Sequence, residues 1–75
     1  MLIYIYSNLA EIFSKKKLFD KGIVALKNAK KCFDRNPLDP KVNADLCYNL
    51  GITLYQTGKW DEGIKFLKEA KSIYE

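Results

Sequence analysis

The segment DKGIVALKNAK at residues 20–30 returns as DEGIKFLKEAK at residues 61–71, with seven of its eleven positions unchanged. The same 41-residue offset extends on both sides, so that residues 4–34 align with residues 45–75. Nine of these 31 pairs are identical, where unrelated segments share about two. The identical pairs are Asn8/Asn49, Leu9/Leu50, Asp20/Asp61, Gly22/Gly63, Ile23/Ile64, Leu26/Leu67, Lys27/Lys68, Ala29/Ala70 and Lys30/Lys71. The chain therefore consists of two tandem copies of one structural unit.

The composition is that of a small globular domain, with 48% hydrophobic and 29% charged residues among 75. At this size folding buries only about 60% of the chain's surface, so an isolated fold is of marginal stability. The apolar start at residues 1–13 is interrupted by Asn8 and Glu11. It lacks a basic lead-in and a cleavage site, and it falls short of the roughly 20 residues that cross a membrane. We expect neither an export signal nor a membrane segment.

The residues that carry chemistry are few. Cys32 and Cys47 stand apart, and the chain contains no His, so the sequence predicts no metal site and no cofactor. Isolated, partly buried thiols are typical of the reducing cytoplasm, which is the predicted location. No Ser or Cys has a neighbouring base and no glycine-rich phosphate loop occurs, so we predict that the protein is not an enzyme.

Apolar residues recur at helical spacing in four stretches. They predict helices over about 2–16, from Phe19 to near Asp34, from about 40 to about 57, and from Trp60 to Tyr74. The predicted apolar faces are Leu2, Tyr6, Leu9 and Phe13 with Ile5 and Ile12 alongside; Phe19, Ile23, Leu26, Ala29 and Phe33; Cys47, Leu50, Leu54 and Tyr55; and Trp60, Ile64, Leu67, Ala70 and Tyr74. This is an all-α fold of two tandem helix-turn-helix hairpins in one domain, with repeat one at about 2–34, a linker at 35–39 and repeat two at about 40–75.

Local signals set the predicted helix ends. Two prolines in the linker forbid a continuous helix, and Asp39 followed by Pro40 is typical of an N-cap and the first helical position. Gly58 is suited to the left-handed conformation that ends a helix. The second helix is capped either by Asp20 or by the turn around Leu18.

Small residues recur at matching positions inside the helices. They are Ala10 and Gly51, Gly22 and Gly63, and Ala29 and Ala70. Because a glycine inside a helix costs about 1 kcal/mol relative to alanine, its recurrence predicts close crossings between helices.

These patterns resemble the tetratricopeptide repeat family of helical hairpins. The matching segments are YNLG at 48–51, GKWDE at 58–62, Ala70, the linker LDP at 38–40, and in the more divergent first copy NLA at 8–10, FDK at 19–21 and Ala29. The departures are Lys17 at the turn glycine, Cys47 for Trp, Leu54 for Tyr, and glycines 22 and 63 for Ala. The spacing is 41 residues rather than the usual 34 or so. The resemblance implies a fragment of an α-solenoid that binds proteins or peptides without catalysis.

In such a stack the first helix of each hairpin would line a concave face. The residues predicted there are Tyr4, Asn8, Glu11 and Lys15 on the first helix and Asp45, Asn49, Ile52 and Gln56 on the third. An asparagine amide can hydrogen-bond a peptide backbone of any sequence, and the family uses Asn at this place to hold extended peptides or a terminal carboxylate. The alternative is that both asparagines are simply tolerated polar residues on a solvated helix face, with or without local hydrogen bonds.

A carboxylate clamp is not expected in this chain. The clamps of this family need Lys or Arg one turn before the Asn, where Tyr4 and Asp45 stand. Lys15, at the far end of the row, is the one cation that the predicted face offers.

Two repeats leave two end faces without a neighbour, and repeat proteins generally need about three units. Candidate exposed patches are Ile3, Ile5, Ile12, Phe66 and Ile73. Either the chain belongs to a longer parent array or its copies associate, so self-association as a structural scaffold is the alternative function. Residues 1–37 carry 8 basic and 3 acidic side chains against 5 and 6 in residues 38–75. This asymmetry favours acidic partners or head-to-tail contact between copies, although lysines 15–17 also suit a helix end.

Nucleic-acid binding has weaker support. Lys27, Lys30 and Lys31 lie on an outer helix, and lysines recur at 68 and 71 among glutamates, as on a solvated face. No interleaved aromatic residues and no reading-helix motif accompany them, so nucleic acid is not a predicted partner.

Overall fold

A computed structural model of the chain describes residues 2–37 and 39–74. Its four helices are α1 (Leu2–Lys15), α2 (Phe19–Arg35), α3 (Pro40–Gln56) and α4 (Trp60–Tyr74). α1 packs against α2, α3 against α4, and α2 against α3, so two helical hairpins lie side by side. The predicted all-α fold is confirmed, and the predicted ends of all four helices lie within about one residue of those observed. Leu38 and Glu75, assigned to the linker and to the second repeat, lie outside the described residues.

The cap signals of α3 are present as predicted. The Asp39 carboxylate accepts a hydrogen bond from the Lys41 N–H at 2.9 Å, and Pro40 occupies the first helical position. At α2 the two alternatives are now separated. Leu18 occupies the N-cap without a side-chain hydrogen bond and Asp20 lies in the first turn, so the turn and not Asp20 begins this helix.

The turns inside the two hairpins have the same backbone path. Each closes with a hydrogen bond at equivalent positions, from Leu18 N–H to the Phe13 carbonyl at 2.8 Å and from Lys59 N–H to the Leu54 carbonyl at 2.9 Å. Gly58 has φ of 84°, and Lys17 at the equivalent position has φ of 60°. A lysine in this left-handed region is strained by its Cβ, whereas a glycine is not.

The tightest helix crossing lies in the second hairpin. A Cβ built on Gly63 would lie 2.9 Å from the Gly51 carbonyl oxygen and 3.2 Å from the Tyr55 nitrogen, both backbone atoms. The first hairpin is looser, because a Cβ on Gly22 would lie 3.5 Å from the Ser14 Oγ, an ordinary contact. The predicted crossing is therefore observed at Gly51 and Gly63.

The core centres on α2 and α3. Its buried apolar residues include Ile23, Leu26, Ala29 and Phe33 from α2 and Leu46, Cys47, Leu50 and Leu54 from α3. This confirms the predicted apolar face of α2 apart from Phe19, which is half-buried, and that of α3 apart from Tyr55, which is exposed.

The predicted faces of α1 and α4 need correction. Ile3 was expected to be exposed but is buried, and Phe66 and Ile73 were expected to be exposed but are half-buried, with Phe66 packed against the core. Conversely, Trp60 and Ile64 are exposed. The further exposed members of the predicted faces are Leu2, Leu9 and Tyr74, together with Ile5 and Ile12, whose exposure was predicted. The reason is that small residues, Ala10 on α1 and Gly63 and Ala70 on α4, make the closest contacts, and the large side chains flank them.

Candidate functional site

The helices α1 and α3 face each other across a groove of about 560 Å³. Buried Leu26 from α2 and buried Ala10 from α1 lie at its base. Its walls are formed by Ser7, Asn8, Glu11 and Ser14 from α1 and by Tyr48, Asn49, Ile52, Thr53 and Gln56 from α3. Most of these side chains carry a hydroxyl, amide or carboxylate group, so the groove offers many hydrogen-bonding groups over an apolar base.

Five of the eight residues predicted for the concave face line this groove. They are Asn8, Glu11, Asn49, Ile52 and Gln56. Tyr4, Lys15 and Asp45 are exposed residues of the same helices, but they do not line it. The structure therefore brings the two asparagines together on one groove, and it leaves both ends of the α1 row and the first residue of the α3 row outside.

The two asparagine amides are open to solvent. Within the part of the chain that the structure describes, neither Asn8 nor Asn49 uses its side chain in a hydrogen bond, which fits a ligand contact and the alternative of a solvated polar face alike. Their hydroxyl neighbours differ, because Ser7 donates to the Ile3 carbonyl at 2.9 Å and Thr53 donates to the Asn49 carbonyl at 2.8 Å. The amides are thus groove-wall groups with both their donors and their acceptor available.

Charge is scarce in the groove. Glu11 is the one ionisable carboxylate among the lining residues, and these include no Lys or Arg. The Lys15 ammonium lies 3.8 Å from Glu11 in an exposed pair, which contributes at most a few tenths of a kcal/mol and is easily displaced. Asp45 instead accepts a hydrogen bond from the Tyr74 hydroxyl at 2.6 Å, and this bond raises the pKa of Tyr74.

A polar cluster centred on Lys30 joins the first hairpin to the second. Its ammonium donates to Asn43 Oδ1 and to Glu69 Oε2, the latter at 3.1 Å, and lies 3.6 Å from Asp34. The Cys47 thiol donates to the same Glu69 oxygen at 3.3 Å. Because these contacts connect α2 with both α3 and α4, they help to fix the angle between the hairpins and hence the width of the groove.

The pKa values in this cluster follow from burial and from these bonds. Burial raises the pKa of the Cys47 thiol to about 11, helped by its hydrogen bond to Glu69. Burial is the largest single effect and acts to raise the pKa of Glu69 and to lower that of Lys30, but their mutual hydrogen bond and the surrounding charges and hydrogen bonds together outweigh it in both cases. The net result is a lowered pKa for Glu69 and a raised pKa for Lys30, so the pair is ionised and the thiol is protonated near neutral pH.

Residues 44–75 match the sequence model of the tetratricopeptide repeat. The second hairpin is a tetratricopeptide repeat. The match covers the second hairpin, so the 41-residue spacing remains a prediction from the sequence. Comparison with curated proteins and with solved structures gave no match. Tetratricopeptide repeats are protein–protein interaction modules, and this coarse function applies to the chain.

The repeat geometry explains which groove residues were not predicted from the sequence. α1 presents to the groove the side that faces α3, and α3 presents the side that faces back to α1. Equivalent positions therefore do not contribute equally: Ser14 lines the groove but its equivalent Tyr55 does not, and Gln56 lines it but its equivalent Lys15 does not. The missed residues are Ser7, Ala10, Ser14, Leu26, Tyr48 and Thr53. The order of the helices in a tetratricopeptide stack would have predicted this offset.

The described residues also bear on metal binding and on membrane insertion. Among residues 2–37 and 39–74, no group of three or more His, Cys, Asp or Glu is arranged to hold a metal ion. In the same ranges, each helix is too short or too polar to cross a membrane.

Proposed function

We propose that the groove between α1 and α3 binds an extended segment of a partner protein, with Asn8 and Asn49 bonding its backbone. The observation that supports this is that two repeat-related amides, both without partners in the described chain, line one groove. A carboxamide can donate to a backbone carbonyl and accept from a backbone N–H at the same time. Two such groups would fix the direction and register of a peptide while remaining tolerant of its sequence.

The charges of the groove favour a neutral or basic segment. Glu11 supplies negative charge, no lining residue supplies positive charge, and Lys15 lies off the groove. A terminal carboxylate would lose water without gaining a cation, which disfavours it. A Lys or Arg side chain of the ligand can instead replace Lys15 beside Glu11, while Tyr48 and Ile52 provide apolar contact.

The test uses a peptide selected from a displayed random library against the wild-type chain and measured by fluorescence polarisation. Asn49→Ala should weaken its binding by about 1–3 kcal/mol, because a backbone group of the ligand would lose its partner. Asn36→Ala, the same change at an exposed position next to the end of α2 and away from the groove, is the matched control and should leave affinity unchanged. Equal affinity of wild type and Asn49→Ala, with intact helicity in both, would remove Asn49 from the site.

A second candidate function is association between copies as a structural scaffold. It is favoured by an exposed apolar row on α1, formed by Leu2, Ile5, Leu9 and Ile12. Contiguous apolar surface of this kind generally marks an interface. Sedimentation equilibrium should give an apparent mass that rises with concentration; a constant monomer mass over a hundredfold range would exclude this role.

We also propose that the protein has no catalytic role and acts in a reducing compartment such as the cytoplasm. Supporting the first point, the groove lining contains hydroxyls and amides with no His, Cys or Lys to activate them. Supporting the second, Cys32 and Cys47 are both free thiols.

A further inference from the structure

The internal repeat allows the burial of equivalent residues to be compared, because α1 and α3 have the same place in their hairpins. Ile5 is 53% exposed and its equivalent Leu46 is 2% exposed. Leu9 is 38% exposed and its equivalent Leu50 is 0% exposed. The difference arises because α2 packs against α3, whereas no helix of the described residues occupies that place on α1. α1 thus carries the apolar row of α3 without its cover.

The opposite end of the molecule has the complementary difference. Ile23 on α2 is 4% exposed, and its equivalent Ile64 on α4 is 47% exposed. Phe33 is 8% exposed, and its equivalent Tyr74 is 59% exposed. The α2 residues are covered by the second hairpin. α4 therefore carries much of the apolar face with which α2 covers α3, and here that face meets solvent.

A second groove marks where the missing helix would lie. It has a volume of about 390 Å³ and lies between α1 and α2. Tyr6 and Asn28 are among its lining residues. Their equivalents in the second hairpin are Cys47 and Glu69, where the Lys30 side chain of α2 is bound. The position that is open in the first hairpin is thus filled by α2 in the second.

We propose that copies of this chain associate head to tail, with α4 of one copy seated on α1 and in the second groove of the next copy. The register is the one in which α2 packs against the α3–α4 hairpin. This assignment rests on the association between copies proposed above, and it specifies the two faces. Because the faces differ, the contact is heterologous and each copy keeps one free face for a further copy.

The charges at this junction differ from those inside the molecule. Two ion pairs join α2 to α4, namely Lys27–Glu62 at 3.7 Å and Lys30–Glu69 at 3.1 Å. The residues at the equivalent positions of the junction are Lys68 and Lys71 on α4 and Lys21 and Asn28 on α2. The Lys27–Glu62 attraction is replaced by a repulsion between Lys68 and Lys21, and in place of Lys30 and Glu69 the junction has Lys71 and Asn28. Association is therefore weaker than the internal contact, and salt strengthens it by screening the repulsion.

Stacking also continues the peptide groove. Between α3 of one copy and α1 of the next, the repeat predicts a junction groove that holds Asn49 of the first copy and Asn8 of the second. Lys15 takes the place that Gln56 has in the internal groove, and Tyr55 takes the place of Ser14. Lys15 and Tyr55, which lie outside the internal groove, thus line the groove formed between copies.

The test is a gain of association by restoring the acidic partners. The double variant Lys21→Glu/Asn28→Glu should raise the association constant at least about tenfold at low salt, which corresponds to about 1.4 kcal/mol. Its association should weaken with added salt, whereas that of the wild type strengthens. Lys41→Glu, which makes a similar change of charge in the first turn of α3, is the control and should have no such effect. Sedimentation equilibrium at two salt concentrations measures all three proteins.

A mixing experiment tests the two faces separately. Leu9→Glu blocks the α1 face and Ile64→Glu blocks the α4 face, so each variant alone should be monomeric while a mixture forms one-to-one complexes. Circular dichroism establishes that both variants are folded. If the wild type associates but Leu9→Glu does not reduce it and the double variant does not strengthen it, the proposed faces are wrong although association itself stands. If the wild type and the double variant are both monomeric, association and this inference fail together.

Discussion

Alanine should have opposite effects at two equivalent glycines, Gly22 and Gly63. At Gly22 the new Cβ makes contacts of 3.5–3.8 Å, which are ordinary, so the variant keeps the helix-propensity gain of up to about 1 kcal/mol. At Gly63 the new Cβ lies 2.9 Å from the Gly51 carbonyl oxygen and 3.2 Å from the Tyr55 nitrogen. Backbone atoms cannot rotate away, so α3 and α4 must separate.

The size of the effect follows from this separation. Overpacking of a tight contact costs about 1–3 kcal/mol, and the propensity gain offsets about 1 kcal/mol of it. Gly63→Ala should therefore lose up to about 2 kcal/mol, while Gly22→Ala gains up to about 1 kcal/mol. For a domain of this size each kcal/mol shifts the melting temperature by roughly 4–8 °C.

Urea denaturation followed by circular dichroism measures both variants, with the double variant as a check. The double variant should lie between the two single ones, because the sites belong to different hairpins and should be nearly additive. It also keeps the comparison measurable if Gly63→Ala alone is largely unfolded. Equal or greater stability of Gly63→Ala than of the wild type would refute the account of the crossing.

Four further predictions concern the turn and the polar cluster. Lys17→Gly should stabilise the fold by about 0.5–1 kcal/mol, since it relieves a left-handed lysine, and an unchanged urea midpoint would contradict this. Lys30→Met should cost about 1–2 kcal/mol by leaving Glu69 and Asn43 without their cation, whereas Lys71→Met at the equivalent exposed position should cost less. The wild type should lose stability at acid pH as Glu69 takes up a proton, because the pKa of Glu69 is lowered in the fold. Lys30→Met should reduce this loss, since it removes the cation that lowers that pKa. Above pH 9 the free energy of unfolding should fall by roughly 1–3 kcal/mol, because the Cys47 thiol has a pKa near 9.0 when unfolded and about 11 when folded; Cys47→Ala should flatten that part of the profile relative to wild type.

The helix ends were predictable from sequence because their signals are local. The Asp39–Pro40 cap, the left-handed position at Gly58 and the helical spacing of apolar residues each act within a few residues. The buried faces of α1 and α4 were less predictable. Periodicity gives most weight to large side chains, but the closest approach is made by Gly51 and Gly63, and the other buried residue of α4 is Ala70, with large residues beside them. A pattern of large residues therefore points to the flank of such a contact and not to its centre.

The groove was predicted in part for a related reason. One row of residues at one-turn intervals places Asn8 and Asn49 correctly on both helices, since both lie near the centre of the inner face. Residues beside the row depend on which neighbour their helix faces, and the spacing within one helix does not contain that information. Lys15 and Gln56 are equivalent in sequence, yet only Gln56 has a neighbouring helix on its side.

The two proposals are linked by this geometry. A single groove offers two backbone-bonding amides, each worth about 0.5–1.5 kcal/mol net, against the cost of ordering an extended peptide. One copy alone should therefore bind weakly. A segment long enough to cross the internal groove and the junction groove meets Asn8 and Asn49 repeatedly, and it also holds two copies together. Linkage then requires that association strengthen peptide binding by the same factor by which peptide strengthens association. The variant Lys21→Glu/Asn28→Glu should accordingly bind a long peptide more tightly than the wild type does, and a short peptide with the same affinity. If the variant and the wild type bind the long peptide equally well, peptide binding in the groove is not coupled to association between copies.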